Sequence, residues 1–209
     1  LAELALGRGP DPGLYLLFAL GAVVMRAAGC TINDIFDRDF DGRVARTASR
    51  PLPSGEISLR QALVFLAGLL TIGLLILLQL SSTAIWLGVL SLALVIPYPL
   101  MKRITWWPQA WLGLTFNWGA WMGWAAVADA VSWSSLLLYV GGLFWTLGYD
   151  TIYAHQDKED DALIGVKSSA LWLGERTRPW IGVFYAVTLL FFAAACWAAG
   201  AGWPAYLGL

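Results

Sequence analysis

Two short acidic runs are the chain's chief candidates for chemistry. In "NDIFDRDFDGRVARTASRPLPSG", residues 33–55, Asn33, Asp37 and Asp41 stand at i, i+4 and i+8. If one helix continues through them, all three oxygens point off a single face. Asp34 adds an i+7 relation to Asp41. In "YDTIYAHQDKEDDALIGVKSSA", residues 149–170, Asp150, Tyr153, Asp157 and Asp161 follow at i, i+3, i+7 and i+11, again one helical face. Like charges one turn apart destabilise a helix by about 0.2–0.5 kcal/mol per pair. Carboxylates at a helix C-terminus also oppose its dipole. Such runs cost stability unless a cation offsets them.

Oxygen ligands without paired His or Cys favour a hard cation. Magnesium takes one or two carboxylates together with substrate phosphates and waters, and suits these runs better than a closed calcium cage. Neither run has the glycine and ligand spacing of an EF-hand loop. A magnesium–diphosphate substrate lying between the two runs would also need basic side chains. Lys102 and Arg103 on an intervening segment could supply them, as could Arg43, Arg46 and Arg50. The competing reading is a pair of solvated helix ends, the usual state of a charge run. Matching spacing and sidedness in two runs argue against it. His155, the only histidine, falls off the face shared by Asp157 and Asp161. Cys30 and Cys196 lie in apolar runs with no CxxC spacing, so neither a disulfide nor a zinc site is expected.

The elements that carry these runs belong to a membrane. The chain is 59% hydrophobic and 13% charged, where soluble domains carry about 25% charged residues. Residues 61–101, 104–128, 130–149 and 179–209 contain no charge at all. A spanning helix needs roughly 20 mostly apolar residues. Six spans are expected, at about 13–32, 59–80, 83–100, 109–128, 133–153 and 179–198. The segments after the first, third and fifth hold 11 of the 13 Lys and Arg, which places them on the cytoplasmic side. Eleven of the 14 acidic residues share that side, including both runs, on helices that point the same way. Arg26 lies inside the first span at i−7 from Asn33. It either reaches a cavity or pairs with a neighbouring helix. Trp106 and Trp107 fit an interfacial belt, and Trp118 and Trp121 fit a belt or an aromatic wall. Asn117, at mid-span depth, is expected to hydrogen-bond across helices. The chain starts without Met and stops in "GWPAYLGL", so both ends read as cut.

The two runs, with "YPLMKR" (residues 98–103) between them, resemble the signatures of the UbiA superfamily of intramembrane aromatic prenyltransferases. The branch that prenylates 4-hydroxybenzoate for ubiquinone biosynthesis is the most similar. The resemblance implies an all-α polytopic bundle of nine transmembrane helices around a central cavity. Residues 1–209 would then be a single domain truncated at both ends, with six complete spans. It also implies that Asn33, Asp37 and Asp41 hold one Mg2+ and that Asp157 and Asp161 hold a second. Lys102 would bind the diphosphate, with Arg43 nearby, and Arg103 the aromatic carboxylate. Asp150 and Tyr153 would shape the substrate site, and Asp157, Lys102 and Arg103 would carry the catalysis. The expected partners are a polyprenyl diphosphate, 4-hydroxybenzoate and the lipid bilayer, with no nucleic acid. The expected location is the bacterial inner membrane. The rivals are another aromatic acceptor and a membrane transporter. Against a transporter, the carboxylates lie at helix ends rather than at the midplane, and their helices are parallel rather than inverted.

Overall fold

The computed structural model describes residues 1–42 and 47–209, with the backbone alone for Phe40, Asp160 and Ile164. Among the described residues every regular element is helical. The chain runs through α1 (Ala2–Ala5), α2 (Pro12–Asp41), α3 (Leu59–Leu77), α4 (Ser82–Val95) and α5 (Tyr98–Ile104). It continues with α6 (Pro108–Phe116), α7 (Gly119–Ala128), α8 (Trp133–Ala154) and α9 (Lys158–Ile164). After α10 (Ser169–Leu173), one 3₁₀ turn (Gly174–Arg176) leads into α11 (Thr177–Ala198), and a second, Trp203–Gly208, follows. These elements form two compact units, 11–80 and 1–10 with 81–209.

In the unit 11–80, α2 and α3 pack along each other. Ser58 starts α3 with a capping box: its hydroxyl accepts from the Gln61 N–H, and its own N–H donates to the Gln61 side chain. Large apolar side chains stay outside, Val23 at 71% and Val64 at 67% exposure. In water that surface would be a liability, whereas against lipid tails it needs no cover.

In the other unit α8 is central, flanked by α6, α7 and α11. It buries Ser134, Ser135, Tyr139, Thr146 and Thr151 against its neighbours. Its polar content as a whole leaves it outside the group of helices that are both long and apolar enough to cross a membrane. That group comprises four stretches among the described residues: Pro12–Asp39, Leu59–Leu77, Ser82–Ile104 and Ser169–Ala198. They coincide with the first, second, third and sixth expected spans. The fifth is α8, 22 residues long.

The fourth expected span is broken into α6 and α7. Asn117 stands at the interruption, where its side-chain amide donates to the Gly113 carbonyl at 2.9 Å and shares that acceptor with its own backbone N–H. The same amide reaches Thr146 Oγ1 on α8 at 2.8 Å, the cross-helix bond expected of it. Trp107 departs from the interfacial role. It packs on the core of Leu147, Leu173 and Phe184, with Trp172 at 5.0 Å. Trp118 and Trp121 also turn inward: Trp118 Nε1 donates to the Leu87 carbonyl, and Trp121 stacks on Tyr139 at 4.6 Å.

α6 and α8 approach closely because glycines face each other's bulk. A Cβ on Gly113 would lie 3.0 Å from the Leu143 carbonyl oxygen, and one on Gly142 would lie 2.6 Å from Asn117 Cγ. Overpacking of this kind costs about 1–3 kcal/mol. Gly142→Ala should therefore lower the unfolding midpoint of the detergent-solubilised protein by several degrees. Asn117→Ala in the same chain should recover part of the loss. An unchanged midpoint in Gly142→Ala would contradict the close approach.

Candidate active site

α2 carries the first acidic run without interruption to Asp41, so Asn33, Asp37 and Asp41 occupy successive turns of one helix. Asp37 is the most enclosed, at 1% exposure, while Asn33, Asp34 and Asp41 are half-buried. At the helix end the Thr47 hydroxyl donates to the Asp41 carbonyl at 2.9 Å, satisfying one of the acceptors left over there. Arg50 then reaches back. Its Nη1 stands 2.8 Å from Asp34 Oδ1 and 2.8 Å from Asp41 Oδ2. One guanidinium nitrogen thus joins two carboxylates two turns apart, offsetting the repulsion that their spacing creates. The backbone on either side of Arg50 is tied into turns, with its N–H donating to Thr47 and its carbonyl accepting from Ser54. Arg38 pairs with its neighbour Asp39 at the surface, and Arg26 is exposed. Arg43 and Arg46 lie outside the described residues.

No group of three or more His, Cys, Asp or Glu side chains among the described residues encloses a metal position. A closed cage is what calcium or structural zinc would use. Magnesium instead keeps waters and takes few protein ligands. The α2 face offers oxygen donors only, with the Asp37 carboxylate already withdrawn from solvent. This donor set fits magnesium.

The second run is built differently from the expectation. α8 stops at Ala154, and short bonds from His155 N–H to Ile152 and from Gln156 N–H to Tyr153 tighten its last turn. Asp157 then precedes α9, and the Asp161 N–H donates to its carbonyl at 2.8 Å. Asp150 and Tyr153 therefore sit on α8 and Asp161 on α9, so the single face expected through all four is not formed. Electrostatics supplies the reason. A continued helix would crowd Asp157, Glu159 and Asp161 at its negative C-terminal end. A fresh start places most of them near the positive N-terminal end of α9. Tyr153 is 61% exposed. His155 turns to Thr177, its Nε2 lying 3.0 Å from Oγ1. Partial desolvation and the nearby Lys158 hold its pKa below the ordinary histidine value.

Lys102 and Arg103 lie in the last turn of α5. The segment following the second acidic run folds back onto that helix end: the Lys167 N–H donates to the Lys102 carbonyl at 2.8 Å, and Lys167 Nζ to the Ile104 carbonyl at 3.1 Å. Behind it, Ser169 donates its N–H to Gln109 Oε1 at 3.0 Å and meets Thr151 Oγ1 at 2.7 Å. These groups are buried, so the network ties α10 to α6 and α8. The structure therefore brings Lys102 and Arg103 to the same end of the unit as the second acidic run, as their sidedness in the sequence implied.

Residues 2–209 match the model of the UbiA prenyltransferase family. The chain belongs to this family. It is 53% identical over 201 residues to the mitochondrial 4-hydroxybenzoate polyprenyltransferase of Aedes aegypti, covering 96% of this chain and 46% of that protein. The Homo sapiens protein of the same name is 57% identical over 176 residues, covering 84% and 47%. The chain thus spans about half the length of these curated relatives. Among solved structures, the apo form of a UbiA homolog from Aeropyrum pernix K1 superposes with a TM-score of 0.82 at 30% identity, covering 99% of this chain and 78% of that one. A UbiA homolog from Archaeoglobus fulgidus bound to GPP and Mg2+ gives 0.71 at 22% identity, covering 86% and 65%, a likeness of fold. This UbiA chain is accordingly an integral membrane protein with an all-helical fold.

Two features of this UbiA site lay beyond reading by spacing. The pairing of Arg50 with Asp34 and Asp41 joins residues 16 and 9 positions apart through a loop of unpredictable path. Lys167 gave only the signal of a basic residue in a basic segment. Partly exposed ion pairs are worth about 0.2–1 kcal/mol each, and 1 kcal/mol moves the midpoint of a chain this size by about 2–4 °C. Arg50→Met should therefore lower the unfolding midpoint by a few degrees in EDTA. Millimolar Mg2+ should raise the midpoint more in the variant than in the wild type. Equal midpoints for both proteins in EDTA would refute the bridge.

Proposed function

We propose that the protein transfers a polyprenyl group from a polyprenyl diphosphate to the ring carbon ortho to the hydroxyl of 4-hydroxybenzoate, a step of ubiquinone biosynthesis. The observation that carries this reading is the enclosed Asp37, set in an oxygen-only face of α2 and flanked by carboxylates that Arg50 bridges, within a chain of a prenyltransferase family. The names of the relatives support the acceptor and the donor class. They are mitochondrial, so they lend nothing to the bacterial inner membrane expected above.

Asn33, Asp37 and Asp41 would hold one Mg2+, and Asp157 and Asp161 a second; when bound, the metal supplies neutralising charge to the diphosphate. Lys102 is assigned to the diphosphate as a point charge, Arg43 to substrate binding, and Arg103 to the carboxylate of the acceptor. Asp150 and Tyr153 border the acceptor. In the reaction the allylic C–O bond breaks and its electron pair leaves with the diphosphate. The ring carbon ortho to the phenol hydroxyl attacks the allylic carbon, and the ring carbon then loses its own proton, which restores the aromatic ring. An allylic cation survives only where water is excluded, which apolar helices in a bilayer provide. The Asp157, Lys102 and Arg103 side chains thus act on charge and position, with no covalent enzyme intermediate.

The test uses membranes carrying the full-length protein, supplied with 4-hydroxybenzoate and geranyl diphosphate. The expected result is C-prenylated 4-hydroxybenzoate by mass spectrometry, lost in EDTA, restored by Mg2+ and reduced at least about 100-fold by Asp37→Ala. Product from a different aromatic acceptor alone would change the substrate. Activity indifferent to EDTA would overturn the diphosphate site.

A further inference from the structure

We propose that Lys167 is a positioning residue that holds Lys102 and Arg103 in register beside the second acidic run. The inference rests on the proposed function for its kinetic consequence and on geometry for the tether itself. α5 is a helix of 7 residues, too short to be stable on its own. It follows α4 after Ile96 and Pro97, and contacts at its far end fix its last turn. Pro99 and Met101 are buried, on different faces of the helix. At its C-terminal end, where carbonyls lack helical partners, Lys167 takes two of them. Its backbone N–H donates to the Lys102 carbonyl at 2.8 Å, and its Nζ donates to the Ile104 carbonyl at 3.1 Å. The same ammonium stands 5.8 Å from the centre of the Trp106 ring, within cation–π range. A cation is also favoured at the negative end of a helix.

Lys167 is itself anchored from behind. The next residue, Ser168, caps α10 by accepting from the Leu171 N–H, and Ser169 is locked between Gln109 and Thr151. The chain between Asp161 and Lys167 is short, and the Val166 N–H donates to the Asp161 carbonyl at 2.9 Å. Lys167 therefore links the basic end of α5 to the segment that closes the second acidic run. Its ammonium is directed at a carbonyl and a ring, so Lys167 acts through Lys102 and Arg103.

Lys167→Met keeps the apolar stem and the backbone bond but removes the ammonium. Lys167→Arg keeps a donor that reaches a carbonyl and stacks on an indole. In the full-length protein, hydrogen exchange of a peptide covering 102–107 should rise several-fold in Lys167→Met and not in Lys167→Arg, with 12–41 unchanged in both. Pyrophosphate with Mg2+ should protect 102–107 in the wild type and protect it less in Lys167→Met. The KM for geranyl diphosphate should rise about tenfold in Lys167→Met and return near the wild-type value in Lys167→Arg, since small misplacements of a positioned group carry penalties of this order or larger. Wild-type exchange and KM in Lys167→Met would overturn the proposal. So would equal kinetic loss in both variants without any change in exchange, which would make Lys167 a direct substrate contact. If the wild type forms no prenylated product while the exchange difference appears, the proposed function fails and the tether stands.

Discussion

Carboxylates repel one another most where water is scarce, and the end of α2 places several of them at the edge of an apolar layer. The Arg50 bridge to Asp34 and Asp41 makes that arrangement tenable. A guanidinium remains charged at any working pH, and its nitrogens bond two acceptors at once, which a lysine ammonium does with less geometric definition. With the two outer carboxylates drawn toward one cation, Asp37 can stay enclosed between them along the helix. The local order of the loop follows from the same contact, since Arg50 can reach back only if 47–54 fold into the turns that Thr47 and Ser54 complete.

The unit built around α8 meets a related difficulty by other means. A helix that buries Ser135, Thr146 and Thr151 has to find partners for their hydroxyls, because an unsatisfied polar group in such surroundings is expensive. Ser135 and Thr151 return their hydroxyls to their own backbone, and Thr146 accepts from Asn117. Thr151 also meets Ser169, which begins the chain of contacts through Gln109 and Lys167 to the end of α5. Close helix approach and polar satisfaction work together here. Gly113 and Gly142 let α6 and α8 come near enough for Asn117 to bridge them, and the same asparagine sits where α6 ends.

Much of this was legible along the chain. The boundaries of α3, α8 and α11 follow the apolar runs within a few residues, because each begins or ends where charge, proline or a capping serine does. The spacing of Asn33, Asp37 and Asp41 required only that one helix continue, and it does. The broken fourth span was less accessible. Asn117 sits in a run whose composition suits a continuous helix, and only its neighbours Gly113 and Thr146 turn its side chain against the ladder. The second acidic run misled for the opposite reason. Its periodicity was real, but charge at a helix C-terminus worked against the helix that the periodicity described.

The sequence by itself determined that this is an all-helical membrane protein with two acidic runs, their oxygen-only chemistry and the basic segments that accompany them. Composition and period decide such things, and both are properties of neighbouring residues. Only the tertiary structure decided that Arg50 serves Asp34 and Asp41, that Trp107 belongs to the core, and that Lys167 ties down the end of α5. Those pairings join side chains and carbonyls across folded loops. Their energies depend on distances of about 3 Å, which no spacing along the chain can specify.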